Sequence, residues 1–381
     1  MLNRMLAETL RSSPKSILLL GPRQVGKSTL LKSLKPDLKI NLSLESEYMQ
    51  FLSQAERLPS LILGQNPKSV FIDEIQRIPS LLNTIQAIID DFSNPPKFYL
   101  SGSSARKLKR GNANLLPGRI FIYHLSGLCN TELQDRIDPY RAMSLGLLPE
   151  PYLSENQKFA EKLLRDYSAT YLVEEIQSEA LTRDLQGFSR FLKVLSAMSG
   201  SILDYTKISN KSNVSRTSVI RFMEILEDTL IAERIYCYPH TTAEIVKHPK
   251  LFFFDTGVLN GLLGNFGISE DRVGNLFEHL VYALLKNSMY ANDIQGQLYF
   301  FRTRNGLEVD FLLEIGDKLY AIEVKADSVF ESDTKSLLAF QKYCPNLEKC
   351  FIVSPKESLQ RKIGSIIICG ISELVKEIEG L

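Results

Sequence analysis

The sequence predicts a multidomain α/β protein: a parallel sheet carrying a phosphate-binding loop, a helical middle, and a second α/β domain at the C-terminal end. Three observations predict it. The apolar run 17–20 leads into Gly21-Pro22-Arg23-Gln24-Val25-Gly26-Lys27-Ser28-Thr29, the pattern G-x-x-x-x-G-K-[ST]. The strand-like run 69–72 ends in Asp73-Glu74. Two further strand-like runs, 308–314 and 319–325, place Asp310 ahead of Glu323-Val324-Lys325.

The first motif sits where its chemistry needs it. A buried strand feeds the loop, and the run 28–34 continues as a helix. Gly21 and Gly26 let the backbone curl so that its N–H groups, with the positive helix end, face phosphate. Residues 21–29 are therefore the expected nucleotide cradle. Lys27 reaches the outer phosphates, and Ser28 offers its hydroxyl to Mg²⁺. Asp73 is the second expected Mg²⁺ ligand, and Glu74 the residue that orients and polarises the attacking water. A short strand is expected over 39–42, a helix over 45–57 and an amphipathic helix over 78–92. The strand 97–100 then ends in Ser101-Gly102-Ser103-Ser104, where a polar group would lie beside the outer phosphate. Ser101 is the first candidate and Ser103 the second. The basic run Arg106-Lys107-Leu108-Lys109-Arg110 faces either phosphate or solvent. Arg119, ahead of the strand 120–125, is either an arginine finger, from within or from a neighbouring subunit, or a structural ion-pair arginine.

The Pro-, Gly- and Leu-rich stretch 139–153 reads as a connection, followed by helical patterns over 157–177 and on to 199. A short helix over 205–209, a turn over 210–214 and a helix capped by Ser215 then predict a helix-turn-helix. The apolar face of its second helix is Val219, Phe222, Met223, Leu226 and Leu230, and Lys207, Lys211, Arg216 and Arg221 cluster near its start. The pair either enters a DNA groove or only packs against its neighbours.

The C-terminal part reads as a strand over 250–257 ending in a turn, an amphipathic helix over 274–285, and strands over 298–302, 308–314 and 319–325. Alternate strand residues share a face, so Glu323 and Lys325 project together and Asp310 meets them from the neighbouring strand. Carboxylates gathered this way bind a hard divalent cation, Mg²⁺ first, with Glu278 as a further acidic member. Lys325 would orient the metal-bound water. The order D…E-x-K is the signature of the restriction-endonuclease-like core. No histidine has ligand spacing; His279 beside Glu278 reads as structural.

Composition narrows the setting. At 381 residues, 44% hydrophobic and 23% charged, the chain has room for two or three domains. A net charge of +1 makes it no polycation, so nucleic-acid binding must come from local patches. The five cysteines form no C-x-x-C pair, which fits a reducing cytoplasm. No secretion signal and no apolar run of the ~20 residues a membrane span needs is visible.

The runs G-P-R-Q-V-G-K-S-T-L from Gly21, F-I-D-E-I-Q from Phe71, L-S-G-S-S from Leu100 and L-P-G-R-I from Leu116 resemble a family of prokaryotic AAA-type ATPases with a C-terminal DUF4143 domain. F-F-D-T-G from Phe253, G-N-L-F-E from Gly274, E-V-D-F from Glu308 and I-E-V-K from Ile322 continue the match. The resemblance spans nearly the whole chain. It implies an AAA+ P-loop core over 1–138, a helical winged-helix domain over 139–245 and a PD-(D/E)XK nuclease-like domain over 246–381. It implies ATP and Mg²⁺ as cofactors and a ring-type homo-oligomer such as a hexamer. The sequence departs from the usual pattern in placing Ser28 and Ser101 where threonine is commoner, with the hydroxyl kept. The expected function is a cytoplasmic ATPase that binds and remodels or processes DNA, with a metal-dependent nuclease step as an added possibility. The alternative is a nucleotide-controlled scaffold whose nuclease-like domain is an inactive binding module.

Overall fold

The computed structural model describes residues 2–54, 56–103, 116–168, 184–241, 243–344 and 347–380. The basic run 106–110 and the distal part of the 157–177 pattern lie outside them. The chain divides into two compact units: residues 1–126 with 228–230, and residues 127–227 with 231–381.

The first unit begins with helix α1 (Leu6–Ser12), β1 (Ser16–Leu20), α2 (Lys27–Ser33) and β2 (Leu38–Asn41). Helices α3 (Glu45–Ser53) and α4 (Arg57–Gln65) follow, then β3 (Ser69–Asp73), α5 (Leu81–Asp91), β4 (Lys97–Gly102) and β5 (Ile120–His124). The helix expected over 45–57 stops at Ser53, and a further helix starts at Arg57. The backbone extends at Gln54, and Pro59 falls in the first turn of α4, where its missing amide costs nothing. All neighbouring strands pair in parallel, in the order β2-β3-β4-β1-β5. Every β1 residue is buried, as a central parallel strand covered on both faces must be. The register aligns Leu20 with Gly102 and with His124, so β1, β4 and β5 finish at one edge of the sheet. Asp73 closes β3 at that same edge.

In the second unit the stretch read as a connection forms two helices, α6 (Pro139–Leu145) and α7 (Pro149–Leu153). Their prolines are the reason. Each stands in the first helical turn, and Asp138 caps α6 by accepting from the amides of Tyr140 and Arg141. Helices α8 (Gln157–Asp166), α9 (Leu185–Ser196), α10 (Tyr205–Ser212) and α11 (Arg216–Asp228) follow. The α10–α11 turn is tighter than expected: α10 runs to Ser212, and Asn213 turns the chain with φ 51°. Ser215 Oγ accepts from the Ser218 amide. Val219, Phe222, Met223 and Leu226 are buried, whereas Leu230 lies beyond the helix end with φ 60°. Lys207, Lys211, Arg216 and Arg221 are exposed. An antiparallel pair, β6 (Ala232–Ile235) and β7 (Lys250–Phe253), comes next.

The strand expected over 250–257 stops at Phe253. Asp255 caps a helix, α12 (Thr256–Leu263), by accepting from the Val258 amide. Then come the long helix α13 (Glu270–Ala291), β8 (Gln297–Arg302), β9 (Glu308–Ile315) and β10 (Lys318–Val324). Helix α14 (Lys335–Phe340), β11 (Leu347–Val353), β12 (Arg361–Ile363), β13 (Ile366–Cys369) and α15 (Ile371–Glu379) complete the chain. The mixed sheet runs β12-β13-β11-β10-β9-β8: an antiparallel meander β8–β9–β10, then β11 and β13 parallel to β10. Among the described residues no helix is long and apolar enough to cross a membrane.

Candidate functional site

The phosphate-loop residues curl between β1 and α2. Gly26 has φ 95°, a conformation that favours glycine. A Cβ on Gly21 would stand 2.0 Å from the Leu125 carbonyl oxygen, so no side chain fits there. Lys27 is buried and donates through Nζ to the carbonyls of Gly21 and Pro22, both at 2.8 Å. Its ammonium is thus held over the concave face of the loop by neutral groups. Arg4 secures the loop from outside, donating to the Val25 carbonyl at 2.6 Å and the Ser126 carbonyl at 3.1 Å.

At the adjoining ends of β3 and β4 lies a chain of hydroxyls and carboxylates. Ser28 Oγ donates to Asp73 Oδ1 at 2.8 Å, and Ser101 Oγ donates to the same oxygen. Ser101 Oγ in turn accepts from the Glu74 amide at 3.2 Å. Glu74 adopts the left-handed conformation, φ 58° and ψ 47°, which turns its side chain sharply off the strand. Its carboxylate accepts from Gln76 Nε2, which also donates to Ser103 Oγ at 2.9 Å. The structure therefore brings Lys27, Ser28, Asp73, Glu74, Ser101 and Ser103 to one edge of one sheet. The paired oxygens of Ser28 and Asp73 are the hard donor set a magnesium ion takes.

Arg119 is elsewhere. Ile120 pairs with Ser16 at the start of β1, the end opposite the phosphate loop. Five strand residues at about 3.3 Å each separate the two ends, so in this structure Arg119 stands away from its own phosphate loop. Arg119 instead grips Asp90 of α5 through two hydrogen bonds, 2.7 and 2.8 Å.

The second unit gathers a different set. Glu278 of α13, Glu308 and Asp310 on one face of β9, and Glu323 of β10 converge with Lys250 of β7 and with Lys325, the residue after β10. Lys325 Nζ donates to Glu323 Oε1 at 2.9 Å, and the Val324 amide donates to Asp310 at 2.8 Å. Lys250 Nζ lies 2.9 Å from both Glu278 Oε1 and Glu308 Oε1. Arg302 holds the other Glu308 oxygen at 2.9 Å. Burial, reinforced by the Asp310 charge, raises the pKa values of Glu278 and Glu323, against the pull of their lysines. Burial also raises that of Asp310. For Lys250 burial works downward, but the surrounding carboxylates outweigh it and hold the ammonium charged. The sequence reading gathered Glu278, Asp310 and Glu323 around one ion. In the structure Lys250 takes Glu278, and among the described residues no three Asp, Glu, His or Cys side chains are placed to hold a metal. His279 is buried between Ser199 Oγ and the Phe253 carbonyl, its pKa pushed down to about 4 by burial.

Residues 13–134 match the AAA domain family, residues 137–269 a domain of unknown function (DUF8612), and residues 273–374 a second (DUF4143). The chain is an AAA-domain protein with a C-terminal DUF4143 domain. Two uncharacterised proteins, Rv2008c of Mycobacterium tuberculosis and Mb2031c of Mycobacterium bovis, are each 25% identical over 320 residues, covering 82% of this chain and 70% of theirs. Among solved structures, the replication initiator DnaA bound to AMPPCP and single-stranded DNA aligns at 14% identity, over 58% of this chain and 85% of that one, with TM-score 0.27. The signal-transduction ATPase PH0952 of Pyrococcus horikoshii aligns at 14% identity, over 75% and 46%, with TM-score 0.24. Protein VC1899 of Vibrio cholerae aligns at 13% identity, over 96% of each, with TM-score 0.21. TM-scores this low do not establish a shared fold.

Gln76, Arg4, Lys250, Glu308 and Arg302 of this AAA–DUF4143 chain escaped the sequence reading as site members. Gln76 carried a faint signal, two positions beyond Glu74. Arg4 and Lys250 carried none, because their partners are distant in sequence.

Proposed function

We propose that the AAA domain hydrolyses ATP with the edge of the parallel sheet as its active site. The observation that carries this is the hydrogen-bonded sequence Ser28–Asp73–Ser101–Glu74, set beside a lysine that points into a phosphate-sized loop. Residues 21–29 hold the triphosphate through loop amides, and Lys27 exchanges its two carbonyl partners for phosphate oxygens. A bound Mg²⁺ would neutralise charge developing on the outer phosphates, held by Ser28 and Asp73. Ser28 must then turn its hydroxyl proton away from Asp73 so that its oxygen can accept. Glu74 orients the water, and Ser101, bonded to the Asp73 carboxylate and to the Glu74 backbone amide, relays the state of the outer phosphate to them. Glu74→Gln is expected to keep nucleotide binding and to lower turnover by about 10²–10⁴-fold, the usual worth of a general base. Undiminished turnover would remove Glu74 from its role.

The finer reading is a homo-oligomer, of ring type, in which Arg119 serves a neighbouring subunit's site. The chain is read as three domains, 1–138, 139–245 and 246–381, working in the cytoplasm. Helices α10 and α11 with the β6–β7 pair have the order of a winged helix, and Lys207, Lys211, Arg216 and Arg221 offer it a DNA-facing charge. The C-terminal sheet, with Asp310, Glu323 and Lys325, follows the nuclease-like pattern; Mg²⁺-dependent cleavage would need Glu278, Asp310 and Glu323 to share an ion. The bonding of Glu278 to Lys250 favours the second reading, in which this domain holds DNA or protein without cutting. A DNA-binding titration checks the interface: four phosphate contacts give a slope of log K on log salt near −3 to −4. A flat profile would leave the helix pair a protein-packing element.

A further inference from the structure

We propose that Lys250 is the resident cation of the DUF4143 acid pocket, standing where a divalent ion would have to sit, so that the pocket is closed to Mg²⁺ and is opened by removing that one ammonium. The proposal rests on the nuclease-like reading of this pocket and refines it.

Lys250 is 4% exposed, and its ammonium lies 2.9 Å from a carboxylate oxygen of Glu278 and 2.9 Å from one of Glu308. It also lies 5.5 Å from the centre of the Phe300 ring, a further contact that suits a desolvated cation. The ammonium thus bridges helix α13 and strand β9, the same elements a metal would bridge. The other acids are held by different groups, Asp310 by the Val324 amide and Glu323 by Lys325. Among the described residues no three acids are placed to hold a metal. A second observation marks the pocket as more than an acidic patch. Glu323 is 7% exposed, and its Oε2 is buried with no hydrogen-bond partner. A buried carboxylate oxygen without a partner is costly, and a metal ion is one group that would satisfy it.

The test is Mn²⁺ titration of the nucleotide-free full-length chain, read by the paramagnetic resonance signal of free Mn²⁺ and by thermal unfolding. The variants are Lys250→Met and, so that the result survives if that variant does not fold, Lys250→Met with Glu308→Gln. The double variant has the wild-type charge balance and keeps Glu278, Asp310 and Glu323. Any weak Mn²⁺ binding at Ser28 and Asp73 is common to all of them. The expected result is that a Lys250 variant binds Mn²⁺ at least tenfold more tightly than wild type, with a matching rise in melting temperature, and that adding Glu323→Gln abolishes the gain. The proposal is overturned if wild type binds Mn²⁺ in a manner lost in Glu323→Gln, or if the folded double variant gains nothing. Mg²⁺-dependent DNA cleavage by wild type, lost in Glu323→Gln, would overturn it too while upholding the nuclease reading. Metal gain without cleavage would support it and leave the pocket a non-cutting form of the nuclease-like pattern.

Discussion

The two acid sites of this chain use lysine in opposite ways. In the AAA domain Lys27 donates to the neutral carbonyls of Gly21 and Pro22, and Asp73 accepts from two hydroxyls. In the DUF4143 domain Lys250 and Lys325 bond carboxylates directly. Phosphate oxygens and a cation can replace these carbonyl and hydroxyl contacts without breaking an ion pair between them. Ammonium–carboxylate pairs cancel on the spot. One arrangement is poised for a charged ligand; the other is balanced from within.

The sharpest way to break this contrast is to replace each lysine with methionine. Lys27→Met is expected to lower ATP turnover by about 10²–10³-fold, the scale of one lost charge-stabilising donor. Its effect on folding should be smaller than that of Lys250→Met, since the bonds to the Gly21 and Pro22 carbonyls are neutral. Lys250→Met should do the reverse. Turnover per folded molecule is expected to hold, while stability drops by about 3–5 kcal/mol, because Glu278 and Glu308 lose a buried counter-ion. Denaturant unfolding followed in parallel with ATPase assays separates the two. Equal destabilisation by both would erase the distinction.

How much of this was legible in the sequence follows from the range of each contact. Gly21 to Thr29 form their site from consecutive residues, so spacing alone reveals it. Asp73 and Glu74 come from the end of one strand and Ser101 from that of another, but both ends close β-rich runs, and parallel pairing carries strand ends to one edge. Lys250 has no such rule. It reaches Glu278 and Glu308 only after a helix and two strands have packed. Capping signals were visible but misjudged: the stretch after Asp138 reads as a connection and Asp255 with Thr256-Gly257 as a turn, although both acids start helices. Proline and glycine near a capping acid serve turn and helix start alike, and tertiary packing decides between them.

Asp255 offers a middle-sized test, a buried carboxylate with no cationic partner among its recorded contacts. Its oxygens accept from the Leu147 amide at 2.6 Å and the Val258 amide at 3.0 Å, tying the α6–α7 corner to the start of α12. Burial outweighs these bonds and pushes its pKa up to about 6 from 3.8. A raised carboxylate pKa means the folded state binds the proton more readily than the unfolded. Stability from this group should therefore rise as pH falls from about 6 to about 4, by on the order of 3 kcal/mol, and be level above pH 6. Asp255→Asn should flatten that slope and cost about 1–3 kcal/mol at pH 7, because an amide nitrogen then faces a backbone N–H. Urea midpoints at stepped pH measure both. An unchanged slope would assign it to other groups.

The smallest effect on folding is expected at Arg119, whose pairing with Asp90 is solvent-exposed and screened by salt. Arg119→Ala should leave the melting temperature unmoved. Because Arg119 lies at the sheet edge opposite its own phosphate loop, an effect on turnover would point to action on another subunit. Arg119→Ala retains a complete loop, and Glu74→Gln retains a complete arginine. If the arginine works across an interface, each variant alone is slow, and mixing the two restores a fraction of activity that grows with protein concentration. If Arg119→Ala turns over like wild type, the ion pair with Asp90 is its whole role. The AAA site then completes itself without this residue.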